Sequence, residues 1–128
     1  MAAMTQTIFP CITFRDAKAS IAWLEEALGA ERVAVYEDDG GNVAHAEIRI
    51  GSSTFMAGDE RAGSRATPPG TSVVYVVVED ADAAYERAKA AGASVTEPVD
   101  QDYGSRDVAV TDPDGNSWSL GTYRGAAA

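Results

Sequence analysis

The chain has 128 residues and carries 20 acidic against 10 basic side chains, giving a formal net charge of −10 at pH 7. With 45% hydrophobic and 23% charged residues, its composition is that of one globular domain and not of a disordered or fibrous chain. Surplus negative charge repels phosphate backbones and anionic lipids, so we expect neither a nucleic-acid nor a membrane partner.

The first half of the chain is predicted to form a strand, a helix and three further strands. Residues typical of strands span Phe9–Phe14, and Cys11 within them is the single cysteine, which indicates a reducing, cytoplasmic location. Asp16 can cap a helix over residues 17–28, which Gly29 ends. Turn residues then separate three predicted strands, Glu31–Tyr36, Val43–Ile50 and Thr54–Ala57.

The second half repeats this order. Asp80 precedes a predicted helix at about 81–91, and residues 60–71 form a linker by their Pro, Gly and Ser content. The predicted strands are Val73–Val78, Ser94–Thr96, Val108–Thr111 and Ser117–Thr122. We therefore predict a single domain, 1–128, made of two modules at about 7–59 and 72–124.

Identities at an offset of 64 positions support a duplication. Asp16-Ala17 recurs as Asp80-Ala81, and Gly51 and Ser53 recur as Gly115 and Ser117, although the two predicted helical stretches differ in length by one residue. The sequence thus predicts an α+β fold of duplicated βαβββ units, in which mixed sheets enclose a cavity.

Strand alternation predicts which side chains face that cavity. A βαβββ unit leaves one sheet face bare, and two bare faces can meet within one chain or between chains. Along Val43–Ile50, the predicted cavity side holds His45, Glu47 and Arg49. The side under the helix holds Ala44, Ala46, Ile48 and Ile50.

The motif DPDGNSW at residues 112–118 and the closing LGTY at 120–123, with the duplication, resemble the vicinal oxygen chelate superfamily, the glyoxalase, bleomycin-resistance and dioxygenase group. AHAEIRIG at 44–51 and YGSR at 103–106 are similar to its PhnB-like branch. The resemblance covers about residues 7–124 and implies a glyoxalase/bleomycin-resistance-type fold and a homodimer. It leaves the activity open, because this fold hosts lyases, isomerases, dioxygenases and drug-binding proteins.

Catalytic members of that superfamily hold a divalent metal with four side chains on the first and last strands of each half. By resemblance, these positions in the present chain are Phe9, Phe55, Val73 and Ser119. Zinc, iron, manganese and nickel need imidazole, carboxylate or thiolate donors, and this set offers one hydroxyl. We therefore expect no metal and no other cofactor.

Several side chains are nevertheless candidates for binding a ligand. His45 and Glu47 share a strand face and can form an acid–base pair, or else a polar face near solvent or a dimer contact. Cys11 faces the cavity by parity, or is a small buried side chain. Arg106 can meet a ligand carboxylate, or form a surface salt bridge.

Aromatic residues can supply stacking walls for a flat ligand, or can simply fill the core. Parity predicts that Phe9, Phe55 and Tyr75 face the cavity and that Trp118 faces the helix. The predicted ligand-binding set is Phe9, Cys11, Tyr36, His45, Glu47, Phe55, Tyr75, Tyr103, Arg106 and Ser119.

Three functional interpretations follow. The first is a metal-independent protein that sequesters an apolar or aromatic compound, including cationic, antibiotic-like ones, as drug-binding relatives do. The second is a divergent metal-dependent lyase, isomerase or dioxygenase that uses His45, Glu47 or Cys11. The third is a protein with a closed cavity and a role in interactions alone. We favour the first, and lean away from an enzyme.

Overall fold

The computed structural model describes residues 6–126, so both ends of the predicted domain lie outside the described residues. The first module contains β1 (Cys11–Phe14), α1 (Ala17–Leu28), β2 (Glu31–Glu37), β3 (Val43–Ile50) and β4 (Ser53–Asp59). The second contains β5 (Val73–Val77), α2 (Ala81–Ala90), β6 (Ser94–Val95), β7 (Val99–Asp100), β8 (Arg106–Thr111) and β9 (Ser117–Gly121).

The strands form two mixed sheets, which confirms the predicted fold class. The N-terminal sheet has the order β1-β4-β3-β2, and the C-terminal sheet has the order β5-β9-β8-β6, with β7 also on β8. In each sheet the first strand runs parallel to the last strand of its module, and the other pairs are antiparallel. The first strand of each module, β1 or β5, therefore lies at an edge of its sheet, next to the last strand of the same module, β4 or β9.

Two differences from the predicted strands have clear physical reasons. The first strand begins at Cys11 and not at Phe9, because Pro10 has no N–H to donate, although its carbonyl accepts a bond from the Met56 N–H at 2.8 Å. The two-residue strand β7 was not predicted, since a segment that short carries no alternation.

Both helices begin at their predicted caps. The Asp16 carboxylate accepts from the Ala19 N–H at 3.2 Å, and the Asp80 carboxylate accepts from the Ala83 N–H at 3.0 Å. α1 ends at Gly29, whose φ of 69° favours glycine. Neither helix in the described part of the chain is long and apolar enough to span a membrane.

The helix-covered faces of the two sheets contribute to one hydrophobic core. Phe55 of β4 packs against Trp118 of β9, with ring centroids 5.7 Å apart, and joins the modules at this point. A hydrogen bond links the two helices: the Arg87 side chain of α2 donates to the Glu26 carbonyl of α1 at 3.1 Å. A fully buried Trp118 confirms the prediction that this residue faces the helix side.

The predicted alternation of β3 holds over most of the strand. Ala46 and Ile48 are fully buried, whereas His45 and Glu47 are partly exposed on the other face. Ala44 was predicted to lie under the helix, and this is wrong. It is exposed because the register between β2 and β3 shifts near Glu37, and Val43 is buried in its place.

Candidate functional site

Each sheet has one face that its helix leaves uncovered. Since residues paired across neighbouring strands share a face, the strand registers define these two surfaces. The N-terminal open face includes Cys11, Thr13, Ala34, Tyr36, His45, Glu47, Arg49, Thr54 and Met56. The C-terminal open face consists of Val73, Tyr75, Val77, Asp107, Ala109, Thr111, Ser117 and Ser119.

The N-terminal open face brings three of the predicted residues together. The Tyr36 ring stacks on the His45 ring, with centroids 6.0 Å apart and planes 18° from parallel. His45 Nε2 lies 3.0 Å from a carboxylate oxygen of Glu47, and both side chains remain about one-third exposed. The three residues present an aromatic surface beside a hydrogen-bonded acid–base pair.

Cys11 lies on this face at the edge strand β1, where it is exposed. The alternative that it is a small buried side chain is therefore wrong. Its thiol approaches the Phe9 carbonyl at 3.6 Å, and Phe9 itself is partly buried in the segment before β1. Cys11 pairs in register with Met56, which places two sulfur-containing side chains next to each other on the open face.

Phe55 does not face the predicted side. Its side chain is 8% exposed and belongs to the core, while Thr54 and Met56 lie on the open face. The register of β1 with β4 matches Cys11 to Met56, and that of β5 with β9 matches Tyr75 to Ser119. The true counterpart of Ser119 is thus Met56, 63 positions earlier. The offset of 64 positions aligned Ser119 with Phe55 instead, and because side chains alternate along a strand, an error of one residue assigns the side chain to the opposite face of the sheet.

A cavity of about 440 Å³ lies between the sheets at the end where Phe55 meets Trp118. Its wall includes Ile8 and Pro10 before β1, the turn between β3 and β4, and residues 74–77 of β5. Phe55 therefore borders a cavity despite its core position. Most of the wall is apolar or carries hydroxyl groups, which suits an organic ligand.

The C-terminal open face is hydrophobic and uncovered along β5. Val73 is 79% exposed and Tyr75 is 42% exposed, and Ser119 lies beside Tyr75 in register. Tyr75 also borders the cavity between the sheets, so the open face and the cavity are continuous at this side chain.

A cluster of hydroxyl groups surrounds the Asp107 carboxylate at one end of this face. The Tyr103 phenol donates to one carboxylate oxygen at 3.0 Å, and the Ser105 hydroxyl donates to the other. The hydrogen bond to Asp107 raises the pKa of Tyr103 above its ordinary value, because the carboxylate favours the protonated phenol.

The same cluster includes Tyr123, which follows β9. The Tyr123 N–H donates to the Ser105 hydroxyl at 3.1 Å, its carbonyl accepts from the Tyr75 phenol at 3.0 Å, and its ring meets the Tyr103 ring edge to face at 5.6 Å. Sequence reasoning identified Tyr75 and Tyr103 but missed Ser105, Asp107 and Tyr123. The single usable signal was that alternation along β8 puts Asp107 on the same face as Ala109.

Arg106 does not take part in either open face. Its guanidinium pairs with Asp100 at 2.9 Å and with Asp82 of α2 at 3.1 Å, on the helix side of the C-terminal sheet. These two hydrogen-bonded carboxylates raise the pKa of Arg106. The structure thus shows the surface salt bridge that was one of the two interpretations of Arg106, on the side of the sheet away from the open face.

The side chains at the metal positions do not fit a divalent ion. With the corrected register, the matched open-face residues on the first and last strands are Cys11, Met56, Tyr75 and Ser119, and among these four the Cys11 thiol is the single conventional donor to zinc, iron, manganese or nickel. Cys11 and Glu47 are separated by β4, a distance of about 10 Å across two strand spacings. Residues 6–126 contain no group of three His, Cys, Asp or Glu side chains placed to hold a metal.

Comparison with known proteins agrees with this architecture. The family model described as the Glyoxalase/Bleomycin resistance protein/Dioxygenase superfamily matches residues 7–120. The uncharacterized protein Rv0887c of Mycobacterium tuberculosis is 34% identical over 121 residues, which cover 88% of this chain and 71% of that protein.

Two solved structures have similar folds. A bleomycin resistance determinant encoded on the transposon Tn5 superposes with a TM-score of 0.69 at 19% identity, covering 94% of this chain and 99% of that one. TnmS3, an antibiotic-binding protein from a Streptomyces species, also gives a TM-score of 0.69, at 18% identity, covering 92% of this chain and 97% of that one. At these identities the similarity shows the fold alone.

Proposed function

We propose that this chain, which belongs to the Glyoxalase/Bleomycin resistance protein/Dioxygenase superfamily, captures an apolar or aromatic small molecule without a metal ion. The observation that carries the proposal is the chemistry of the open-face positions on the first and last strands: a thiol, a thioether, a phenol and a hydroxyl. Such groups hold an organic ligand by burial, stacking and hydrogen bonds, and they hold a hard cation poorly.

The cavity between the sheets supports the same function. Its volume of about 440 Å³ lies within the roughly 300–1,000 Å³ range of small-molecule sites, and its wall combines aliphatic and aromatic side chains with few charges. The Tn5 determinant and TnmS3, which share this fold, are described as a bleomycin resistance determinant and an antibiotic-binding protein. Antibiotic-like compounds are accordingly the first ligands to test.

We further propose that two copies of the chain pair, so that the N-terminal open face of one covers the C-terminal open face of the other. The two sheets of one chain share a core through their helix-covered faces, and Phe55 packs on Trp118 there. That arrangement leaves Val73, Tyr75 and Val77 exposed. A second copy would bury this hydrophobic strip and place the Tyr36, His45 and Glu47 surface opposite it.

The assignment to the PhnB-like branch and the cytoplasmic location stay predictions from the sequence. The metal-dependent alternative would need donors from two chains, because His45 and Glu47 lie two strands from Cys11 within one chain. Metal analysis of protein purified without chelator tests it. A stoichiometric divalent ion that is lost on His45→Ala would favour the enzyme and contradict capture without metal.

Ligand capture is tested by thermal shift against a panel of aromatic and basic natural products. A ligand at a hundredfold excess over its Kd stabilises the folded protein by about 2.7 kcal/mol. Tyr75→Leu, on the open face, should remove the shift, whereas Tyr85→Leu on α2 is the matched control and should retain it. If no compound stabilises the protein, or if both variants behave alike, the proposed function is wrong.

The pairing of two copies is tested by sedimentation velocity. Val73→Asp places a charge in the exposed strip on β5 and should shift a dimer to monomers at micromolar concentration. Ala66→Asp adds the same charge in the exposed linker and should leave the dimer intact. A monomeric parent protein, or a Val73→Asp variant that still forms dimers, would contradict the pairing.

A further inference from the structure

We propose that Asp107, with the aromatic rings of Tyr75, Tyr103 and Tyr123, forms a binding site for an organic ammonium group. The site accepts a substituted or quaternary amine carried by the captured compound, an inference that rests on the proposed function for its biological ligand. The ammonium site itself is a property of the C-terminal open face and can be tested with a small probe.

The phenol groups of Tyr103 and Tyr75 converge on the Asp107 carboxylate, Tyr103 directly and Tyr75 through Ser105. The Tyr103 phenol contacts one oxygen of Asp107 directly, and the Tyr75 phenol lies 3.4 Å from the Ser105 hydroxyl that contacts the other oxygen. Tyr123 meets Tyr103 edge to face, with planes 87° apart. The two rings are therefore nearly perpendicular to each other beside the carboxylate, and aromatic rings placed around a cation are what binds quaternary ammonium groups in aromatic cages.

The negative charge of Asp107 has no cationic partner within the part of this chain that the structure describes. Among residues 6–126, no Lys, Arg or His nitrogen lies within 4.0 Å of its carboxylate. Its neighbour Arg106 points to the helix side of the sheet and is already paired with Asp82 and Asp100. Hydroxyl groups occupy one lone pair on each Asp107 oxygen, so the charge itself remains available to a ligand.

A glycine, Gly121, forms the backbone beneath the cluster. A Cβ added to Gly121 would collide with a carboxylate oxygen of Asp107 and with the Tyr75 phenol. Those two side chains therefore lie directly over the β9 backbone, closer than any other residue at position 121 would allow. Gly121 thus sets the spacing between the Tyr75 ring and the Asp107 carboxylate.

The chemistry of the site selects an organic cation over other ligands. A single carboxylate with phenol and serine hydroxyls supplies too few charged oxygens for a calcium or magnesium site. Aromatic faces attract alkylammonium groups, which are weakly hydrated, through the negative potential of the ring. Tyr75 also borders the cavity between the sheets, so an ammonium group held here can extend its hydrophobic part into that cavity.

The test uses choline and its uncharged isostere 3,3-dimethylbutan-1-ol, which have nearly the same shape and differ in charge. Binding to the full-length protein is followed by NMR through the ring protons of the tyrosines. We expect choline to shift the Tyr103 and Tyr123 signals and the isostere to bind at least tenfold more weakly. Asp107→Asn should weaken choline binding at least tenfold, because the amide can keep both hydroxyl contacts while losing the charge.

A charge-matched control separates this site from the general acidity of the chain. Asp39→Asn, in the exposed turn between β2 and β3, changes the net charge equally and should leave the choline affinity within twofold of the parent. Equal binding of choline and the isostere, or equal loss in the two variants, would overturn the ammonium site. Tyr103→Leu keeps the charge but removes one ring, and it should also weaken choline; unchanged binding would overturn the role of the rings.

The outcome also separates this site from the proposed function. If natural products stabilise the protein in the thermal-shift panel but choline does not bind, the ammonium site is wrong and capture stands. If neither binds, both are wrong. Choline binding that requires Asp107 and Tyr103 supports the site regardless of which natural ligand the cavity holds.

Discussion

The hydrogen bonds of the DPDGN motif at residues 112–116 predict how much the free energy of unfolding falls when Asp112 is replaced. One carboxylate oxygen of Asp112 accepts from the backbone N–H groups of Asp114, Gly115 and Asn116 at 2.9–3.0 Å. The other accepts from Asn116 Nδ2 at 2.8 Å and from Trp118 Nε1 at 3.0 Å. Asn116 and Trp118 are fully buried.

Asp112→Asn keeps the shape and the first set of bonds but replaces the second oxygen with an NH₂ group. Two buried donors, Asn116 Nδ2 and Trp118 Nε1, would then face a third donor. An unsatisfied buried donor costs about 1–3 kcal/mol, so the two together should lower the free energy of unfolding by about 4 kcal/mol. That is a large share of the roughly 5–15 kcal/mol available to a domain.

Urea denaturation followed by tryptophan fluorescence measures this loss. Asp38→Asn is the matched control, because Asp38 likewise opens a turn, the one between β2 and β3, and accepts from the Gly40 and Asn42 N–H groups at 2.9 and 3.0 Å, but is exposed. It should cost less than about 1 kcal/mol. A loss of similar size in both variants would refute the argument from buried donors.

Further predictions concern the aromatic cluster, the core and the surface. Asp107→Asn should bring the raised pKa of Tyr103 back to about 10 in a spectrophotometric titration. The hydrogen bond to Asp107 stabilises the folded protein while the Tyr103 phenol is neutral, so the parent should lose this contribution to stability as the pH rises above 10 through the raised pKa. A titration curve of Tyr103 that Asp107→Asn leaves unaltered would contradict the hydrogen bond. Phe55→Ala should lower the free energy of unfolding by about 3–5 kcal/mol in chemical denaturation; a loss below 1 kcal/mol would be inconsistent with its contact with Trp118. Arg106→Gln should leave ligand binding unchanged. It should lower the free energy of unfolding by no more than about 1 kcal/mol, because its partners Asp82 and Asp100 are exposed.

Local patterns predicted the elements of this fold well. The helix over residues 17–28 and the strand Val43–Ile50 have the predicted bounds, because caps, glycines and alternating residues define them within a few positions. The cap at Asp80 was equally visible in the sequence. These signals are local, so they do not depend on which segments meet in space.

The orientation of β4 was not predictable from the repeat alone. Gly51 and Ser53 match Gly115 and Ser117 at an offset of 64, yet the strand registers relate Met56 to Ser119 at 63. The stretch from Asp16 to Gly29 is one residue longer than the stretch from Asp80 to Gly92, and this difference persists in the paired strands. Because side chains alternate with a period of two, that one residue placed Phe55 on the wrong face.

The tyrosine cluster was missed for a different reason. Tyr75, Asp107 and Tyr123 come from three separate segments, and no periodicity links them. They meet because β5 and β8 both pair with β9 and because the chain after Gly121 turns back toward Ser105. Predicting a site whose residues come from separate segments requires the strand registers, and these cannot be read from the sequence.

The corrected repeat also explains how the open-face residues can vary while the chain remains folded. Phe55 and Trp118 occupy equivalent places in the two modules, and their contact joins the modules, so exchanging either for a small residue costs several kcal/mol. Their neighbours Met56 and Ser119 face outward, where most substitutions change stability by only about 0.5 kcal/mol. Open-face residues can therefore vary in their chemistry at little cost to the core. That separation between the two faces of each strand lets the ligand chemistry vary while the architecture stays the same.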